Sequence, residues 1–162
     1  MKNVCFTLLF TALTFGAVAQ KITVKKNLVT VDGRPYARIE PAGEQVFGIS
    51  NMYYVSSLQN ERLFAVKALQ LNDPASVSPA NPTGNTNYVQ FIFTASRQYV
   101  ETEMPMSGFR MINVARIIYA ARLLKNGTLD PQAISDFSVN NGTLYSARRT
   151  ALDQVQVLPV QY

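Results

Sequence analysis

The sequence predicts one exported domain of the α+β class, in which a mostly antiparallel sheet of about five or six strands precedes its helices. Three observations support this prediction. Apolar and β-branched runs separated by turn residues fill positions 21–103. A helical stripe of apolar residues follows residue 107. Positions 1–19 have the layout of a cleavable leader. We therefore expect the sheet first, then a long amphipathic helix and one or two shorter helices packed on one face.

The first nineteen residues predict a secretory signal peptide. Lys2 supplies a positive start, Val4–Phe15 is apolar apart from threonines, and 17–19 are small residues. This pattern places cleavage between Ala19 and Gln20, and the apolar run is too short for a membrane span of about 20 residues. We expect residues 1–19 to be removed and residues 20–162 to form a single globular domain.

The composition indicates a domain that folds without disulfide bonds. Cleavage would leave 143 of the 162 residues, enough for a sizeable core. Cys5, the single cysteine, lies in the leader, so the mature chain cannot form a disulfide. Export without disulfides suggests the periplasm or the exterior of a Gram-negative bacterium. No mature segment is apolar enough to span a membrane.

Residues 21–71 read as strands. Apolar positions near a period of two run over 22–31, and the Asp32-Gly33 turn separates them from a strand over 35–40. Residues 45–58 predict one long strand or two short strands kinked near Gly48, ending at a turn over 59–61. The apolar run over 63–71 fits a helix nearly as well, and its neighbours favour a strand.

A polar loop, then two more strands, complete the predicted sheet. Residues 72–87 contain three prolines and four asparagines, which predicts either an inert mobile loop or a binding loop. Residues 88–94 combine aromatic and β-branched side chains, the strongest strand signal in the chain. Residues 99–103 are expected to extend the sheet.

The helical part begins with a predicted helix over Ser107–Lys125, capped by Ser107 and stopped by Gly127. Its inward stripe lies at helical spacing and comprises Met111, Val114, Ala115, Ile118 and Ala121. A second helix should start at Pro131 after Asp130 as cap, with Ile134 and Phe137 inward. We expect a third helix over 144–153 and a closing strand over 155–162.

The chain contains no histidine, and its one cysteine lies in the leader. This removes Ser-His-Asp and Cys-His catalysis and any zinc site built on those ligands. No glycine-rich phosphate loop or calcium loop appears. We expect no cofactor and no metal, and we expect the protein not to be an enzyme.

Glu101 and Glu103 form the best carboxylate pair. At positions i and i+2 of a strand they share one face, near the separation that two-carboxylate glycosidases use. A hydrolase of envelope glycans is therefore the alternative function. A self-associating structural protein is another, because many β-segments can leave a sheet edge open.

Four arginines offer a binding hypothesis. Arg110 and Arg116 on the long helix, together with Arg148 and Arg149, could form one surface for an anionic ligand. The mature chain keeps fourteen of fifteen Lys and Arg and all ten Asp and Glu, a formal net charge of +4. The favoured function is thus a non-enzymatic binding or interaction module whose partner is another envelope protein or an anionic ligand, and not nucleic acid.

Overall fold

The computed structural model of the protein describes residues 20–43 and 50–156, except for the side chains of residues 155 and 156. The predicted leader and the segment around Gly48 lie outside these residues. Seven antiparallel strands form one sheet in which each strand pairs with its neighbours in sequence. The strands are β1 (Ile22–Lys25), β2 (Leu28–Val31), β3 (Arg34–Pro41), β4 (Met52–Ser56), β5 (Arg62–Asn72), β6 (Asn85–Phe93) and β7 (Gln98–Glu103).

The predicted antiparallel sheet is confirmed, but it has more strands than the five or six expected. The additional strand arises at Lys26 and Asn27, whose φ angles of 46° and 65° reverse the chain between β1 and β2. Asp32 and Gly33 reverse it again with φ angles of 50° and 79°. Asparagine, aspartate and glycine tolerate positive φ better than other residues, so local sequence explains the Asp32-Gly33 turn fully and the first turn at Asn27 but not at Lys26.

The register of the strands defines two faces of the sheet, because residues directly opposite each other in an antiparallel pair point to the same side. Val66, Phe91 and Val100 lie in one cross-strand row and are fully buried. We call their side the inner face. The alternating positions, such as Gln90 and Glu101, form the outer face.

Helix α1 (Met111–Ala120) packs on the inner face over β1 and β3. The predicted stripe is confirmed, since Val114, Ala115 and Ile118 are each 1% exposed. Tyr119 meets Tyr36 of β3 edge-to-face, with ring centroids 5.5 Å apart. The core therefore lies between this helix and the sheet.

The prediction of one helix over Ser107–Lys125 was wrong at both ends. Gly108 has a φ of 82°, the N-cap is Arg110, and the Ser107 hydroxyl instead accepts a hydrogen bond from Asn113 Nδ2 at 2.9 Å. Beyond the helix, Arg122 has a φ of 54° and the chain forms a small hairpin of β8 (Leu124–Lys125) and β9 (Thr128–Leu129). The Asn-Gly pair that was expected to stop the helix is the turn of this hairpin.

Helix α2 (Pro131–Asn141) follows its sequence signals and confirms the predicted second helix. The Asp130 side chain accepts hydrogen bonds from the N–H groups of Gln132 and Ala133, at 3.0 and 3.3 Å. Phe137 meets Phe91 edge-to-face with centroids 5.2 Å apart, which places α2 on the inner face. Gly142, with a φ of 65°, ends the helix.

Helix α3 (Leu144–Gln156) lies on the outer face, so the helices do not all pack on one side as predicted. The turn before it crosses the free edge of β7, where Gly142 O accepts the N–H of Glu101 at 2.9 Å. Tyr145 then stacks on Tyr88 with centroids 4.5 Å apart. The expected closing strand was wrong at its start, because residues 155 and 156 end α3. Its remainder lies outside the described residues.

The polar loop is shorter than predicted and is held by its own hydrogen bonds. β5 continues to Asn72 and β6 begins at Asn85, and a short 3-10 helix spans Pro74–Ser76 between them. Asp73 caps this helix through Ala75 N at 2.9 Å. Within residues 20–43 and 50–156, no helix has the length and apolarity needed to cross a membrane.

Candidate functional site

Glu101 is buried on the outer face, with 2% of the residue exposed. Its Oε2 accepts the N–H groups of Tyr145 and Ser146, each at 2.9 Å. Its Oε1 accepts Gln90 Nε2 at 3.0 Å and also the Ser146 hydroxyl. The carboxylate therefore caps the N-terminus of α3, where backbone N–H groups lack partners within the helix and favour negative charge.

Glu103 lies on the same face as Glu101, as the spacing predicted, but in a different environment. It is opposite Tyr88 in the β6–β7 register and is exposed. Two-carboxylate hydrolysis needs both groups within reach of the substrate, one as the general acid and the other as the base or the nucleophile. Both oxygens of Glu101 are engaged by β6 and α3, so the geometry gives the glycan-hydrolase alternative no support.

The four candidate arginines lie on two helices that pack on opposite faces of the sheet. Arg110 is the N-cap of α1, and Arg116 lies on the side of α1 that faces solvent. Helix α1 itself packs on the inner face of the sheet. Arg148 and Arg149 lie on α3, which packs on the outer face. The structure therefore does not gather the four on one element or one side of the sheet.

The two arginines of α3 already have partners that fix the helix. Arg148 Nε and Nη2 contact Asp73 Oδ2 and Oδ1 at 2.7 and 2.8 Å, a bidentate ion pair. The hydrogen bonds from Arg148 hold the pKa of the Asp73 carboxyl below its usual range. Arg149 Nη2 donates to Gln70 O at 2.7 Å. Both residues thus attach α3 to the end of β5 and the loop that follows it.

A cleft of about 560 Å³ lies where the chain crosses the free edge of β7. One wall is β7, another is the C-terminal end of α1, and the third is the junction of α2 and α3. Its apolar lining residues are Pro105, Ile117, Ala120, Ala121, Phe137 and Leu144. Ligand sites in proteins have this size and this mostly apolar lining. We call this cavity the β7-edge cleft.

The polar groups of the β7-edge cleft give it a negative character. Glu101 and Glu103 line one side, Asn140 and Asn141 line another, and none of the described lysines and arginines lines it. Tyr145 also lines the cleft, and its pKa is raised by burial and then by the charges of Glu103 and Glu101. In a chain with a formal net charge of +5, this cleft therefore favours cations.

One exposed apolar side chain lines the β7-edge cleft. Leu144, which lines it, is 72% exposed. Met106 and Val139 are also exposed, and each is next in sequence to a lining residue, Pro105 and Asn140 respectively. Apolar groups left in water beside a cavity are typical of a surface that binds something.

Sequence reasoning found Glu101 and Glu103 but missed the remaining walls of the cleft. Ile117, Ala120 and Phe137 carry no chemical signature and read as ordinary helix residues. Of the tyrosines, Tyr53 and Tyr88 pack in buried aromatic pairs, with Phe109 and Tyr145. The exposure of Leu144 became visible only in the structure.

Across the described part of the chain, no group of three or more Asp, Glu, His or Cys is placed to hold a metal ion. Compared with known proteins, the chain matches no protein family, no curated protein and no solved structure. Its function is therefore inferred from its own residues.

Proposed function

We propose that the protein is an exported, non-enzymatic binding module of a Gram-negative cell envelope, and that its ligand occupies the β7-edge cleft. The cleft itself carries the proposal. It combines an apolar lining, a volume of about 560 Å³ and the exposed apolar side chain of Leu144. The single-domain organisation over residues 20–162 and removal of the leader between Ala19 and Gln20 are part of this proposal.

The chemistry of the cleft suggests an amphipathic ligand with an apolar body and a cationic end. Ile117 and Phe137 offer apolar contact to the body. The exposed carboxylate of Glu103 can receive an ammonium group, while Glu101 is occupied by α3. A carboxylate ligand of the same length would meet repulsion from both glutamates.

Self-association through the β7 edge is less well supported. Edge pairing requires free backbone N–H and C=O groups along the strand. The N–H of Glu101, at the middle of the outward side of β7, is already bonded to Gly142 O. The α2–α3 turn therefore covers part of the edge that a second copy would need.

The test is a titration of the ¹⁵N-labelled mature chain with octylammonium, octanol and octanoate, followed by amide chemical shifts. We expect saturable shifts at the cleft residues, tightest for octylammonium. Ala120→Trp fills the cleft from an exposed helix position and should weaken binding of octylammonium and octanol about tenfold or more, the loss of roughly 1.4 kcal/mol or more of binding free energy. Glu103→Gln should reduce only the preference for the ammonium group.

The matched control is Ala151→Trp, the same change at an exposed position of α3 that does not line the β7-edge cleft. It should bind octylammonium like the natural chain. Absence of saturable shifts with all three probes, or a preference for octanoate, would overturn the proposed ligand class.

A further inference from the structure

The outer face carries a second group of side chains, remote in sequence from the β7-edge cleft. Arg38 of β3 is directly opposite Ser56 of β4, and Ser56 is directly opposite Arg62 of β5. The three residues therefore form one cross-strand row on the same face. Neighbouring strands are about 4.8 Å apart, so the two arginines flank the serine with Cα atoms about 10 Å apart.

The middle of this row is shaped by an irregularity in the sheet. The β4–β5 register shifts between Val55 and Ser56, so that Ser56 pairs with Arg62 and Leu63 becomes the additional residue. Leu63 packs towards the core, which leaves Arg62 on the outer face. Bulges of this kind re-aim side chains and occur often beside functional sites.

The Arg62 guanidinium is held by an aromatic ring. Its Cζ lies 3.6 Å from the centroid of the Tyr54 ring, which is on β4 two residues before Ser56. Stacking on Tyr54 fixes the plane of the guanidinium over β4, and the in-plane N–H groups of a stacked guanidinium point away from the ring contact. The ring thus orients a planar donor before any ligand arrives.

The Arg38 guanidinium is partly buried and incompletely satisfied. Its Nε is buried and has no hydrogen-bond partner among the described residues. A buried donor without an acceptor is unfavourable by about 1–3 kcal/mol, so such a group in a native fold calls for an explanation. An acceptor supplied by a ligand over Ser56 would satisfy it.

Acidic partners do not neutralise this row. In the described parts of the chain, the salt bridge between Arg148 and Asp73 is the one ion pair within 4.0 Å. Glu40 lies on the same face as Arg38 but is not within that distance. Among the described residues, the two cationic forks therefore have no carboxylate within ion-pair distance, and they flank Ser56, which is 8% exposed.

We propose that Arg38, Ser56 and Arg62 bind a phosphate group. Its oxygens point in several directions, so it can accept from two guanidinium forks and a hydroxyl at once, whereas a carboxylate offers two oxygens in one plane. The group can be free phosphate or the headgroup of an anionic lipid, and the experiment separates the two. This site is independent of the β7-edge cleft, so either can fail alone.

Inorganic phosphate is titrated into the labelled mature chain at constant ionic strength, adjusted with chloride, and the arginine Nε–Hε signals are followed. We expect a saturable shift of the Arg38 signal. Arg62→Met, at an exposed position, should weaken binding about tenfold, as expected for loss of one charged hydrogen bond. Arg38→Lys keeps the charge but removes Nε and should weaken binding similarly.

Arg34→Met is the matched control. Arg34 is exposed and lies on the same strand as Arg38, but it pairs with Val31 on the inner face of the sheet. It should leave phosphate binding unchanged. A loss equal to that of Arg62→Met would show a general charge effect and overturn the site. So would the absence of a saturable Arg38 shift in the natural chain.

The source of the phosphate is decided with vesicles. Phosphatidylcholine vesicles containing phosphatidic acid are sedimented with the natural chain, Arg62→Met and Arg34→Met. If the natural chain and Arg34→Met sediment with the vesicles and Arg62→Met does not, the ligand is a lipid headgroup. Saturable binding of inorganic phosphate without vesicle retention identifies a soluble phosphate, and failure of both overturns the proposal.

Discussion

At the scale of single residues, Gly84 shows how one position fixes the long β5–β6 loop. Its φ is 65°, and an added Cβ would lie 2.5 Å from the backbone oxygen of Asp73. The same two residues are joined by the bond from Asp73 N to Gly84 O at 3.0 Å. Glycine is therefore required both by the backbone conformation and by the close approach of the opposite strand end.

We expect Gly84→Ala to lower the free energy of unfolding by at least about 2 kcal/mol, since strain at positive φ adds to a contact that only backbone movement can relieve. Gly33→Ala is the control. Gly33 has a φ of 79° but open space around it, so the loss should be about 1 kcal/mol. Urea unfolding measures both, and equal losses would contradict the role assigned to the contact with Asp73.

At the scale of elements, α3 is held to the outer face by polar contacts more than by apolar burial. Most of its described residues are exposed. It is fixed at its start by Glu101, at its middle by the Asp73–Arg148 ion pair, and by the stacking of Tyr145 on Tyr88. Because few apolar groups are buried, removal of one polar anchor should release the helix locally.

Glu101→Ala should lower the free energy of unfolding by about 2–4 kcal/mol, because the α3 cap is lost and the amide of Gln90 loses its acceptor. Hydrogen exchange at the amides of Tyr145 and Ser146 should accelerate. Glu103→Ala, on the same strand and face but exposed, should change stability by no more than about 0.5 kcal/mol. If both variants behaved alike, Glu101 would not be an anchor of α3.

At the scale of the whole molecule, the absence of histidine determines how stability depends on pH. The chain has no imidazole, and its one thiol, Cys5, lies in the predicted leader. No side chain of residues 20–162 therefore has an ordinary pKa between about 5 and 9. The titrating groups with shifted pKa values lie at the two extremes of pH.

We expect the free energy of unfolding to be flat between about pH 5 and 9 and to fall on both sides. The pKa of Asp73 is lowered by Arg148, so its contribution is present above about pH 4 and is lost as pH falls through the folded-state value. Burial raises the pKa of Tyr36 to about 12, so its contribution is present below about pH 10 and is lost as pH rises towards 12.

Urea unfolding across pH measures this profile. Asp73→Asn keeps an oxygen to cap the 3-10 helix but removes the charge, and should flatten the acid limb. Tyr36→Phe should flatten part of the alkaline limb. A transition near pH 6–7 in the natural chain would contradict the expectation.

Local signals predicted much of this fold. Alternating apolar residues and the Asp32-Gly33 turn act within a few residues, and Asp130 followed by Pro131 sets the start of α2 without distant help. The predicted end of the long helix was wrong because helical and hairpin signals compete there. The stripe of α1 extends in sequence beyond Ala120, but positive φ at Arg122 and burial of Leu123 and Leu124 in the core favour a hairpin.

The amino-acid sequence by itself determined the α+β class, the mostly antiparallel sheet and the exclusion of histidine chemistry. Only the tertiary structure decided that α3 crosses to the outer face, that Glu101 caps it, and that Arg38, Ser56 and Arg62 share one row. These outcomes depend on strand register, and a shift of one residue moves a side chain to the opposite face. Short turns such as Asp32-Gly33 fix register locally, but the register shift at Ser56 and the crossing of α3 to the outer face depend on contacts between segments far apart in sequence.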